Sequence, residues 1–201
     1  MWYFAWILGV LLACSLGIIN VLRLEAQESL DNESLVIDPL TQLLAKESIL
    51  ERLYEKVENS KRNEKPFSLL YLSLTDFKKQ HQLMEHEMDT TLLKVVASIK
   101  HDIRAELDIA ARVGDEDFLL AIPGVSLETA ERIAIRIKQH VFEKVKTPTG
   151  ITVDIAVGSV EYTEHMVAIA NEVAMGMSEV EALLNIAIEK CFESTLTSES
   201  A

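Results

Sequence analysis

The 201-residue chain reads as α+β: one N-terminal transmembrane helix, then a domain with a mainly antiparallel sheet flanked by helices. Three observations predict this. Met1 to Leu22, MWYFAWILGVLLACSLGIINVL, runs without a charge until Arg23, long enough to cross the roughly 30 Å bilayer core as a helix. Further on, short apolar segments such as Phe67 to Leu74, FSLLYLSL, suit buried strands. Between such segments, apolar residues recur at helical spacing.

Residues 1–24 form the span. Ala5, Gly9, Ala13 and Gly17 fall on one helical face, where small side chains let a second helix approach closely. Trp2, Tyr3 and Trp6 crowd the end that meets the headgroups. Leu11-Leu12-Ala13-Cys14 resembles a lipoprotein cleavage box, but no basic segment precedes it, as a leader would require. Residues 25–37 are polar at first, lack helical spacing and read as a linker.

A helix is expected next, carrying Leu40, Leu43, Leu44, Leu50, Leu53 and Val57 on one face, with Asp38 as cap and Pro39 in its first turn. The strand at Phe67 to Leu74 follows, then a helix through Leu92, Leu93, Val96, Ile99 and Ile103. Ile109 to Val113 and Phe118 to Ile122 are two strands around the turn Gly114-Asp115-Glu116-Asp117, and Pro123-Gly124 stops the second. Leu127 to Phe142 is a helix with Ala130, Ile133, Ala134, Ile137 and Val141 inward; Ile151 to Val160 is a strand and Glu179 to Phe192 a last helix. Residues 196–201 are a tail.

The net charge is −13, and a domain so acidic repels nucleic acid. Cys14 in the span and Cys191 near the end are not placed to pair, which fits a reducing compartment. The weak positive bias of Arg23, Lys46 and Arg52 puts the domain on the cytoplasmic side of a single-pass membrane protein. His81, Glu85 and His86 cluster, but a metal would need a further ligand in geometry; surface polar residues are the simpler reading.

The string MWYFAWILG followed by LLACSLGIINVL closely resembles the single-span small subunit of cytochrome bd-type quinol oxidase, the YbgT/CydX family. The resemblance implies an accessory role in assembly and haem retention. Its partners would be membrane lipid and the large haem-bearing subunits, with haem b and haem d in the complex and no cofactor bound by this chain alone. The span holds no His or carboxylate and no Met after Met1, so it offers no haem ligand of those types.

The order of elements, with several strings in it, resembles the GGDEF domain of diguanylate cyclases over residues 38–195. Asp38-Pro39-Leu40-Thr41-Gln42-Leu43 stands where the family has Asp-x-Leu-Thr-Gly-Leu, and Ser73-Leu74-Thr75-Asp76-Phe77-Lys78 where it has Asp-x-Asp-x-Phe-Lys. Glu85-His86 keeps the histidine of a Gly-His pair, and the naming motif reads Gly114-Asp115-Glu116-Asp117-Phe118.

The resemblance implies a site for GTP with two divalent ions, whose carboxylates neutralise charge on the phosphates. Here Ser73 occupies the first metal position, and Glu116 remains as a vestigial ligand. His81 and Thr90 stand at the guanine-contacting positions, and Asp115 replaces the second glycine of the hairpin. The product-site Arg-x-x-Asp reads Ala105-Glu106-Leu107-Asp108, with Arg104 one residue out of register, which on a helix end would turn it away by about 100°.

These departures imply no catalytic residues, no bound metal and no enzyme by itself. The expectation is a non-catalytic accessory subunit of a bd-type quinol oxidase, whose degenerate GGDEF domain binds a protein partner or a second copy. The alternative is a membrane-tethered cyclic di-GMP signalling protein, either an effector or a residual cyclase. A third reading makes the helix an anchor and the domain a dimerisation unit.

Overall fold

A computed structural model describes residues 36–74, 85–147, 150, 152–163 and 178–199, with Tyr3 and Ile7 near the N-terminus. The chain divides into two units, Met1–Leu35 and Val36–Ala201. In the first, Tyr3 and Ile7 are helical and exposed. The rest of the expected span and linker up to residue 35, including Trp2, Ala5, Trp6, Gly9, Ala13 and Gly17, lies outside the described residues. Among the described residues, no helix is long and apolar enough to cross a membrane.

The second unit runs β1 (Leu44–Ala45), α1 (Lys46–Arg62), β2 (Phe67–Ser73), α2 (Glu85–Asp102), β3 (Ile109–Arg112), β4 (Asp117–Pro123), α3 (Leu127–Lys144), β5 (Ala156–Glu161) and α4 (Glu179–Glu199). The five strands lie in the order β1-β3-β4-β2-β5. β2 lies inside the sheet, between β4 and β5, and is apolar on both faces: Leu70 and Leu72 point to one side, Phe67 and Leu69 to the other.

Each face carries its own helices. Leu70, Leu72, Phe118, Leu120 and Ile122 pack with Leu92, Val96 and Ile99 of α2 and Ala130, Ile137 and Val141 of α3. Phe67, Leu69, Leu119, Ala121 and Val160 pack with Ile49, Leu53 and Val57 of α1 and Val180, Leu183 and Ala187 of α4. Full burial of a large apolar side chain contributes about 1.5–3 kcal/mol, so these two layers hold the helices on the sheet.

Three expectations are corrected. The sheet is mixed rather than mainly antiparallel: β1 pairs parallel with β3, because α1, β2 and α2 intervene before the chain returns to that edge. The first helix starts at Lys46, not after Asp38. Asp38 instead caps a turn, accepting the Thr41 backbone N–H at 2.7 Å, and Gln42 sits at φ +55°, a left-handed conformation that a helix cannot contain. The last strand begins at Ala156. The described part of the segment before it buries Val153 and Ile155 and is tied down by the Lys146–Thr152 bridge and by the Val153 N–H donating to the Val145 carbonyl at 3.4 Å.

Candidate functional site

The hairpin between β3 and β4 lies against the end of β2. Ser73 is the ladder partner of Asp117 on one side and of Ala156 on the other. Its hydroxyl donates to Asp117 Oδ1 at 2.6 Å. The Leu74 N–H donates to the Glu116 carbonyl at 3.1 Å, and the Val113 N–H to the Asp117 carbonyl at 3.0 Å. Both acids of the motif are therefore fixed by backbone at the mouth of the β2–β4 ladder.

Gly114 lies close under the Asp117 carboxylate. A Cβ there would lie 2.5 Å from Asp117 Oδ2, so a side chain at this position would make that carboxylate turn aside. Asp115, in the place of the second glycine, is exposed at the tip. Phe118 is fully buried and anchors the strand that follows.

Arg112 clamps the hairpin. Its Nη2 donates to the Asp115 carbonyl at 2.9 Å and its Nε to the Gly114 carbonyl at 3.2 Å. Nη1 reaches Asp38 at 3.3 Å, tying the hairpin to the turn at Asp38–Thr41. Burial alone would raise the Asp38 pKa, but hydrogen bonds from Thr41 and the Arg112 charge outweigh it and hold the carboxyl below its ordinary value.

On the α4 side, Tyr71 and Cys191 surround the Asp117 carboxylate electrostatically. Burial, then the Asp117 charge, push the Tyr71 hydroxyl upward and the Cys191 thiol up to about 11. The sequence reading missed the roles of Arg112 and Tyr71. Tyr71 carries one legible signal, a phenol in a mostly apolar strand two residues before Ser73.

Other expected residues separate from this centre. Thr75 to Met84, with Asp76, Lys78 and His81, lie outside the described residues. His86 and Thr90 are exposed on α2, and the Thr90 hydroxyl donates to the His86 carbonyl at 2.9 Å. Arg104 corrects its expectation. It lies in a turn rather than on a helix end, and that turn brings it back onto Asp108, with Nε at 3.1 Å and Nη2 at 2.5 Å from Oδ1.

The donor set between β2 and the hairpin is asymmetric. The hairpin supplies the carboxylates of Glu116 and Asp117, whereas β2 supplies a neutral hydroxyl already donated to Asp117. Hard cations take oxygen ligands and prefer charged ones. The chemistry of these side chains fits an ion on the hairpin side, completed by oxygens brought with a ligand.

Comparison with known proteins gives two family matches. Residues 35–181 match the model described as diguanylate cyclase, GGDEF domain, and residues 1–27 match that of the membrane bound YbgT-like protein. Diguanylate cyclase DosC of Escherichia coli is 25% identical over 154 residues, 74% of this chain and 33% of its own. Diguanylate cyclase DgcP of Pseudomonas aeruginosa is 27% identical over 131 residues, 63% of this chain and 20% of its own. The chain thus spans a third or less of the length of these relatives. Among solved structures, diguanylate cyclase SiaD in complex with its activator SiaC, from Pseudomonas aeruginosa, superposes with a TM-score of 0.69 at 23% identity, covering 91% of this chain and 68% of that one; this likeness is one of fold. The matches overturn the expectation that the chain is no enzyme by itself, since the family and its named relatives are diguanylate cyclases.

Proposed function

Since this chain belongs to the diguanylate cyclase GGDEF-domain family, we propose that it is a cyclic di-GMP signalling protein and a candidate diguanylate cyclase, carried on a YbgT-like membrane segment. The observation that carries the reading is the Gly114–Phe118 hairpin, which sets two acids at the end of β2 and is clamped to the domain by Arg112. Glu116 would hold a divalent ion arriving with nucleotide phosphates, and such an ion neutralises charge on the phosphates. Arg112 and the Ser73–Asp117 bond keep the hairpin in place against that load.

The segment matching residues 1–27 supports a finer reading. It would set the domain at the cytoplasmic face of the bacterial inner membrane, beside the haem-bearing subunits of a bd-type quinol oxidase, as an accessory subunit. Oxygen respiration and nucleotide signalling would then meet in one chain.

The two parts separate by experiment. The full chain in detergent, incubated with GTP and Mn²⁺, should form cyclic di-GMP, and Glu116→Ala should abolish it; absence of product with either Mg²⁺ or Mn²⁺ would remove the cyclase reading. Tagged chain drawn gently from membranes should carry the absorbance of haem b and haem d. A stable preparation without those bands would remove the oxidase association and leave the signalling domain standing.

A further inference from the structure

The described residues hold one group of three His, Asp or Glu side chains gathered closely enough for a metal ion, and it lies away from the hairpin. His101 and Asp102 are the last two residues of α2, and His140 faces them from α3. One ligand atom from each lies within 4.8 Å of the others. His140 Nδ1 is 2.6 Å from Asp102 Oδ2, and His101 Nδ1 is 3.4 Å from Asp102 Oδ1. The two imidazole rings meet edge to face with centroids 5.2 Å apart.

We infer that His101, Asp102 and His140 bind a single late transition-metal ion of zinc(II) character, with water as the fourth ligand. The ligand chemistry is right: two imidazoles and one carboxylate are the donors of open zinc sites. The spacing is near right as well. Bonds of about 2.0–2.1 Å in a tetrahedron set ligand atoms roughly 3.3 Å apart; the measured separations, 2.6 Å from His140 to Oδ2 and 3.4 Å from His101 to Oδ1, run to different oxygens of Asp102, so one oxygen must turn toward both rings to complete the set. The ion takes the place of the hydrogen bond between His140 and Asp102, so His140 must present the Nδ1 lone pair to the metal and carry its proton on Nε2.

Two further features prepare the site. The Asp102 side chain is 3% exposed and is fixed by Arg136, one turn before His140, through Nε to Oδ1 at 2.8 Å and Nη2 to the Asp102 carbonyl at 2.8 Å. Such outer partners orient a ligating carboxylate. The site also sits at the C-terminal end of α2, where the helix dipole favours a cation. His101 is 66% exposed and gives the ion an open approach. The ion would pin the end of α2 to α3 just ahead of the Arg104–Asp108 turn.

The full chain in detergent, stripped of metal with a chelator and titrated with Co²⁺, tests this without any assay of turnover. A tetrahedral visible absorption band should saturate at one Co²⁺ per chain and be displaced by Zn²⁺. His101→Ala and His140→Ala should each weaken binding by about tenfold or more, while the double variant His81→Ala/His86→Ala keeps it. No band with excess Co²⁺, or a His101→Ala titration that saturates at the same Co²⁺ concentration as the unaltered chain, would overturn the inference, as would loss of the band in the double variant. His101 is exposed, so its variant decides the matter even where His140→Ala fails to fold.

Discussion

Ser73 and Asp117 close the β2–β4 ladder, with the Ser73 hydroxyl donating to Asp117 Oδ1 at 2.6 Å. A neutral donor thus stands where the family carries an acid, and it satisfies a carboxylate that a second acid would repel. Ser73→Ala should lower stability by about 1 kcal/mol, the scale of one such bond at a partly exposed carboxylate. Ser73→Asp should do worse in chelator, because two carboxylates at this distance cannot both ionise without cost. Millimolar Mn²⁺ should narrow that deficit in melting temperature and leave Ser73→Ala unmoved.

Asp38 sets an acid limb of the stability profile. Its folded pKa lies below the ordinary 3.8, so its contribution is fully present above that value and is lost as pH falls through the folded value. Asp38→Asn should therefore destabilise the domain at pH 7, and less so at pH 3. Urea midpoints of the two proteins at both pH values measure this; a constant difference would refute it.

Gly158 lets the backbone of α4 approach β5 closely. A Cβ there would run into the Ala187 carbonyl oxygen and lie 2.5 Å from the Cys191 backbone nitrogen. Helix and strand backbones cannot yield as a flexible side chain does, so Gly158→Ala should cost about 1–3 kcal/mol. Thermal melts of the full chain should show the drop, whereas Gly124→Ala, with nothing near its Cβ, should show only the strain of a residue at φ +73°.

Cys191 should be inert in the native state. It is buried, and its thiol is pushed up to about 11, first by burial and then by the Asp117 charge. The thiolate is the reactive form, so at pH 8 a Cys14→Ser chain should resist a thiol reagent until denaturant is added. Rapid labelling of the folded protein would contradict the packing of α4.

The sequence revealed elements that differ sharply in pattern from their neighbours. β2, with apolar residues on both faces, and α3, with Ala130, Ala134, Ile137 and Val141 buried, were legible because burial follows their period. β1 was not. Its two residues, Leu44 and Ala45, fit the helical spacing of Leu40, Leu43 and Leu50, and only the backbone at Gln42 breaks that series. The hairpin motif was legible as a string, but not its clamp, since Arg112 reaches Asp38 across 74 positions. The histidine cluster failed for the same reason. His101-Asp102 and the Arg136/His140 pair each look like surface polarity until α2 and α3 are packed together.

Arg104 and Asp108 bracket the turn between α2 and β3, and their pairing makes a last prediction. The Asp108 side chain is 2% exposed while Arg104 is 46% exposed, so the carboxylate depends on a partner that remains partly in water. Arg104 also donates to the Pro123 carbonyl at 2.9 Å, which joins the turn to the end of β4. Arg104→Ala keeps the Arg104 backbone N–H on Asp108 at 2.7 Å but removes the fork, and should cost about 2–3 kcal/mol because a buried charge loses its counterion. Arg104→Lys restores charge without the planar fork and should recover only part of the loss. Arg104→Ala/Asp108→Asn should be less harmed than the two single effects added together, since no charge is then left unpaired. Additive losses in denaturant unfolding would show that the pair is a surface contact and that the turn is held by its backbone alone.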